Sequence, residues 1–206
     1  MFFDLSLTNP VRLPLFPLKT VLFPRGKLPL RIFEARYVDM VKRCMRENIG
    51  FGILYIEEGR ETRAESRNRV PVVSMIGTEV KIVDFDQIEG NLLGILVEGL
   101  GRFEVKNSWE ETDHLLIGEV VHIEDEPDYE LQKSDGSLVQ ILKELVRHPM
   151  IEKLNLSIDY FNGVDVSYRL AELLPLDLKI KQYLLELQDA RKRLLELKNL
   201  VKGFQE

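Results

Sequence analysis

The sequence predicts an α+β chain in two parts, a β-rich part over residues 1–130 and a helical bundle over residues 131–206. Three observations carry this expectation. Before residue 130, short runs of Val, Ile, Leu and Phe are separated by Gly, Pro, Asn and Asp, the texture of strands and turns. After it, apolar residues recur every three or four positions, the period of amphipathic helices. A chain of 206 residues with 45% hydrophobic and 30% charged side chains can bury a core without staples.

The expected strands, in order, are Val11–Phe16, Leu28–Ile32, Phe51–Ile56, Val70–Ile76, Thr78–Phe85, Asn91–Glu98, Arg102–Lys106 and Leu115–His122. In Thr78–Phe85, Val80, Ile82 and Asp84 share one face, because strand side chains alternate. Asp86–Gly90 reads as a hairpin loop longer than a two-residue turn. Gly99-Leu100-Gly101 is expected to turn the chain between two strands. One helix interrupts this part. Phe33, Tyr37, Met40, Val41 and Cys44 form its apolar stripe, and Asn48 and Gly50 stop it. The densely charged Glu57–Arg69 segment reads as an exposed loop.

The helical part opens at Ser137-Leu138-Val139-Gln140, which has the pattern of a capping box, and its first helix stops at Pro149. A second helix runs from about Asp165 to Pro175. Beyond a cap at Asp177, the residues Ile180, Tyr183, Leu187, Ala190, Leu194, Leu197, Val201 and Phe204 step by three and four without a miss. This predicts one helix from 178 to 202, roughly 37 Å long at 1.5 Å per residue.

Composition excludes several functions. With 28 basic against 34 acidic side chains, the net charge of −6 argues against coating a nucleic acid duplex. The single cysteine, Cys44, allows no internal disulfide; it suits a reducing, cytoplasmic setting and, on an apolar helix stripe, reads as a buried, inert thiol. The opening residues lack the basic and apolar regions of a secretory signal, and no apolar run is long enough to cross a membrane. There is no phosphate-binding glycine loop, no dinucleotide fingerprint and no nucleophile elbow. His114 and His122 lie about 27 Å apart in a straight strand and make no metal site; His148 before Pro149 suits a helix C-terminus. The acidic run Glu124–Asp128 lacks calcium-loop spacing and reads as a solvated turn. No cofactor, metal or catalytic residue is expected.

One region stands apart. Arg12–Leu18 and Val21–Pro24 carry Pro14, Pro17 and Pro24 among Phe16 and Phe23, which predicts edge or irregular strands with accessible backbone. The segment RLPLFPLKTVLFPRGKLPLRIFEARYVDMVKRC (Arg12–Cys44) resembles the opening of the Lon protease amino-terminal domain family. GTEVKIVDFDQIEGNLLGILVEGLGRFEV (Gly77–Val105) resembles its middle hairpin, and LAELLPLDLKIKQYLLELQDARKRLLEL (Leu170–Leu197) its closing helices. Two departures are visible: Arg25 displaces a glycine after Phe23-Pro24, and Ala35 precedes Arg36-Tyr37 where the family often has proline.

The resemblance implies a PUA-like, twisted six-stranded pseudo-barrel carrying one helix, followed by a helical bundle ending in a long helix. It also implies a stand-alone, non-enzymatic module for polypeptide recognition, without ATPase or peptidase modules. The implied partners are unfolded or extended polypeptides, together with a protease or chaperone. RNA or nucleotide binding, which PUA-like barrels perform elsewhere, is the alternative; the Arg60–Arg69 loop is its one local basic cluster. Candidates for a polypeptide-binding surface are Phe16, Leu18 and Phe23, rimmed by Arg31, Glu34, Arg36 and Tyr37, since strand addition needs apolar surface beside free backbone groups. The alternative places both phenylalanines in the core.

Overall fold

The computed structural model describes residues 9–62, 70–88 and 92–203, in two units, Met1–Glu124 and Asp125–Glu206. The first unit contains β1 (Val11–Leu18), β2 (Lys27–Ile32), α1 (Ala35–Glu47), β3 (Phe51–Glu58), β4 (Val72–Val73), β5 (Ile76–Ile88), β6 (Leu92–Glu110) and β7 (Leu116–His122). The expected six-stranded pseudo-barrel is corrected by a seven-stranded sheet in the order β1-β7-β6-β5-β3-β4, in which β1 also pairs β3 in parallel. β2 sits off this path on β6, and among the described residues β2 and β4 each pair with one strand only. The sheet therefore keeps edges.

Two of these elements differ from the sequence expectation for local reasons. β6 is one strand of 19 residues, where two were expected. Gly99 does not turn the chain; it lets Phe23 approach, since a Cβ there would lie 2.5 Å from the Phe23 carbonyl oxygen. A register shift between Thr78 and Val80 bends the β5–β6 ladder beside it. The expected strand Val70–Ile76 shrinks to Val72–Val73. Pro71 has no donor to give, and the Ser74 N–H and hydroxyl bond the Tyr55 carbonyl and the Glu57 carboxylate.

β1 is also corrected: it is an interior strand, not an edge. Val11–Leu15 pairs antiparallel with β7 and Leu15–Leu18 parallel with β3. Pro14 thus pairs only Ile117 and Pro17 only Leu54, so each proline sits where one side of the ladder is unused. Leu13 and Leu15 join one buried cluster with Leu54, Phe103 and Val120; Phe16 and Leu18 join another with Phe51, Ile53 and Val97. Onto the second cluster α1 lays Tyr37, Met40, Val41 and Cys44, and Asn48 ends the helix in the left-handed conformation at φ 52°. Phe33 lies before α1 and is left out of its buried stripe.

The second unit holds a 3-10 turn (Lys133–Asp135), α2 (Gly136–Val146), α3 (Pro149–Glu152), α4 (Gly163–Leu173), α5 (Leu178–Glu186) and α6 (Ala190–Gly203). α4 is its centre, touching α2, α5 and α6. The capping box lies earlier than expected, with the Gln132 N–H donating to the Asp135 carboxylate at 2.8 Å. His148 caps the N-terminus of α3 rather than a C-terminus, its Nδ1 accepting from the Met150 N–H. Asp177 caps α5 as the sequence indicates.

The single long helix is replaced by two, broken at Leu187–Asp189. Arg193, fully buried, explains the break. Its Nε donates to the Leu184 carbonyl at 2.9 Å and its Nη2 to the Leu187 carbonyl, so it satisfies the C-terminal end of α5. Asp189 restarts the chain as α6 by accepting from the Arg191 and Lys192 N–H groups. The buried face of α5 is consequently Gln182, Leu184 and Leu185, and Tyr183 is exposed. Phe204, Glu89–Gly90 and Arg63–Arg69, to which sequence expectations were attached, lie outside the described residues. Among the described residues no helix is long and apolar enough to cross a membrane.

Candidate functional site

The site forms where β2 runs into α1. Consecutive strand residues face opposite sides, so Ile32 turns into the core and Phe33 turns out, 61% exposed. Glu34 occupies the N-cap position but makes no side-chain cap; its carboxylate instead holds the Arg36 guanidinium at 3.1 and 3.3 Å. Arg36 also donates to the His114 carbonyl at 2.9 Å and lies over the Tyr37 ring, 4.4 Å from its centroid. Tyr37 stacks on Phe16 at 4.0 Å, and Phe16 meets Phe51 at 6.2 Å. The Arg36 guanidinium and the Tyr37 and Phe16 rings thus form a stack that runs inward, with Phe51 tilted against its inner end.

Against this stack opens a cleft of about 200 Å³. Phe16, Leu18, Leu30, Ile32 and Tyr37 line it with apolar surface, Phe33 stands at it, and Arg31, Glu34, Glu61 and Thr62 supply polar groups. Five of the residues singled out from the sequence, Phe16, Leu18, Arg31, Glu34 and Tyr37, meet here. Arg36 lines the adjoining hollow with Pro17, Glu110 and His114, and its Nε is buried with no hydrogen-bond partner among the described residues. Phe23 is not part of the site. It is 0% exposed, held under Gly99, which corrects its placement on a binding surface. Phe16 and Leu18 are buried floor rather than exposed surface.

Phe33 is misplaced by sequence reasoning in the opposite sense to Phe23, expected buried and found exposed. Its spacing from Tyr37 fits a helix stripe, whereas its position next to Ile32 in an extended segment forces it outward. The edge of β2 at Pro29 and Arg31, to which no second strand pairs among the described residues, lies beside the cleft. Gly99 donates to the Gly26 carbonyl, which sets the even-numbered positions 26, 28, 30 and 32 toward β6. Lys27, Pro29 and Arg31 then point their backbone groups the other way.

Elsewhere the chemistry is quiet. Burial pushes the Cys44 thiol up to about 11, despite the opposing pull of Arg43, so it is a poor nucleophile at neutral pH. The His122 Nε2 lies 2.6 Å from a Glu79 carboxylate oxygen, and His114 pairs with Glu110 at 2.8 Å. No group of three or more His, Cys, Asp or Glu side chains among the described residues is placed to hold a metal ion.

Residues 12–203 match the family model described as the ATP-dependent protease La (LON) substrate-binding domain. The chain belongs to this family. It is 34% identical to a Lon N-terminal domain protein from Xanthomonas campestris, whose crystal structure superposes with a TM-score of 0.75 over 92% of this chain and 98% of that one. The N-terminal domain of a Mycobacterium avium complex Lon protease shares the fold at a TM-score of 0.58 and 19% identity, over 92% of this chain and 97% of that one. Among curated relatives, the Lon protease of Amoebophilus asiaticus is 26% identical over 84% of this chain and 21% of its own length. Lon protease 2 of Myxococcus xanthus is 25% identical over 93% of this chain and 25% of its own. The chain thus spans about a fifth to a quarter of the curated relatives it matches.

Proposed function

We propose that this Lon-type domain is a non-enzymatic module for polypeptide recognition that holds apolar stretches of unfolded or extended chains at the Phe33 cleft. One observation carries the assignment: an exposed phenylalanine stands over an apolar cleft whose floor is locked by the Phe16–Tyr37 stack. A single exposed phenylalanine is ordinary on a protein surface, but one that stands at a formed apolar cleft offers an anchor beside a pocket, and a rigid floor limits the entropy lost on binding. The backbone groups of Arg31 at the free edge of β2 would pair with an extended segment but not with a folded surface. Its relatives are named as Lon proteases, so delivery of the bound chain to a protease or chaperone belongs to the same proposal, as does a cytoplasmic setting.

The test is binding of a reduced, unfolded test protein, read by fluorescence anisotropy. Phe33→Ser should weaken binding about tenfold, the loss of one buried anchor, and leave the melting temperature unchanged. Full binding by the Phe33→Ser variant, or binding of the folded test protein equal to that of the unfolded one, overturns the proposal.

A further inference from the structure

A second surface, a groove that shares no lining residue with the cleft, lies between the C-terminal end of α1 and β5. Met45 and Ile49 on the helix side and Val83, Phe85 and Leu100 on the strand side are all exposed around a groove of about 630 Å³. Phe85, 59% exposed, also borders a hollow of about 360 Å³ on its other flank. Five large apolar side chains gathered at one groove form the kind of patch that marks an interaction site.

The charges decide what fits. Lys81 is 3.7 Å from Glu98, and Glu79 is taken up by His122, so these groups are matched within the fold. Asp84 and Asp86, both exposed, flank Phe85 in the strand and have no ion-pair partner among the described residues. The groove wall at Met45, Asn48 and Ile49 is the C-terminal end of α1, where the helix dipole adds negative potential and Arg46 of the last turn is paired with Glu47 at 2.9 Å. Among the described residues lining the hollow, the cation facing these carboxylates is Arg31, which also lines the cleft. The apolar patch is therefore edged with negative charge.

We propose that this groove docks a segment of another polypeptide that carries bulky apolar side chains flanked by lysine or arginine. A second copy of this chain fits poorly, because a two-fold contact centred on Phe85 would bring Asp84 and Asp86 close to their own equivalents. A nucleic acid fits poorly for the same reason, its phosphates meeting carboxylates. The surface goes beyond the Phe33 cleft and does not depend on it.

The probes are two labelled synthetic peptides with the same Leu and Phe residues, one flanked by Lys and the other by Glu. Their affinities are read by anisotropy at low salt. The Lys peptide should bind the parent at least about tenfold more tightly than the Glu peptide, and salt should erase the difference. Replacing both aspartates (Asp84→Lys with Asp86→Lys) should reverse the preference. Phe85→Ser should weaken the Lys peptide about tenfold, and Ile49→Ser provides the same reading should the first variant melt early. Phe33→Ser should leave the Lys peptide unaffected.

Equal binding of the two peptides, or an unchanged preference in the aspartate variant, overturns the proposal. So does a sedimentation result in which the parent self-associates and Phe85→Ser makes it monomeric. If Phe33→Ser abolishes Lys-peptide binding and Phe85→Ser does not, the peptide occupies the cleft, and this proposal falls while the earlier one stands.

Discussion

Arg193→Met tests whether one buried guanidinium organises the helical unit. The Arg193 side chain is 0% exposed and the Glu126 side chain 2%, and the two are ion-paired. Arg193 also stacks over Tyr168 at 4.1 Å, donates to the Ser167 hydroxyl at 3.0 Å, and bonds two carbonyls at the end of α5. The Tyr168 hydroxyl donates to the same Glu126 carboxylate at 2.7 Å. Methionine roughly keeps the volume but leaves that carboxylate buried without its cation, a change that costs about 3–5 kcal/mol. The buried Leu184 carbonyl loses the Arg193 donor and adds to the cost, within the ~1–3 kcal/mol of an unsatisfied buried group, although the terms are not additive. Hydrogen exchange of the α4 and α6 amides reads the loss in this unit, and urea unfolding followed by circular dichroism reads it in the whole protein. Adding Glu126→Gln to Arg193→Met should recover part of the loss, since the uncompensated charge is then gone. An unchanged urea midpoint for Arg193→Met, or a double variant less stable than the single one, would refute the reasoning.

Two further outcomes follow from packing and titration. Leu194→Ala, at a buried position of α6, should cost about 2–5 kcal/mol, and Leu187→Ala, half-buried at the helix break, clearly less; equal losses in urea unfolding would mean the two positions belong to one continuous helix face. Burial pushes the Glu172 carboxyl from 4.5 up to about 7, against the lowering pull of Arg169 and Lys181. The folded state therefore binds this proton more tightly than the unfolded state, and the group's contribution to stability declines as pH rises from about 4.5 to about 7. Glu172→Gln should flatten that part of the melting-temperature profile, and parallel profiles for parent and variant would contradict the assignment.

Much was legible in the sequence because it is encoded locally. The change from strand texture to helical period, the helix stripe at Tyr37, Met40, Val41 and Cys44 (though not at Phe33), the stop at Asn48 and the cap at Asp177 each depend on a few neighbouring residues, and each is present in the structure. The family too was legible in short ordered motifs from Arg12 to Leu197. Phe16 and Leu18 with Arg31, Glu34 and Tyr37, named from the sequence as a candidate surface and its rim, line one cleft, whereas Phe33, exposed there, was expected on the helix stripe.

What only the tertiary structure decided was the partner of each element. Prolines 14 and 17 suggested an edge strand, but β1 changes partner at Leu15 and leaves each proline on an unused side of the ladder. Leu187 continued the helical period without a miss, but Arg193 reaches back to the α5 carbonyls and pairs with Glu126, 67 residues away in sequence, and the helix ends there. Phe23 and Phe33 look alike in sequence; Gly99 lets the first into the core, while Ile32 takes the inward position and leaves the second in water. Periodicity tells which face of an element is apolar. Which neighbour covers that face, or whether any does, is set by contacts between residues far apart in the chain.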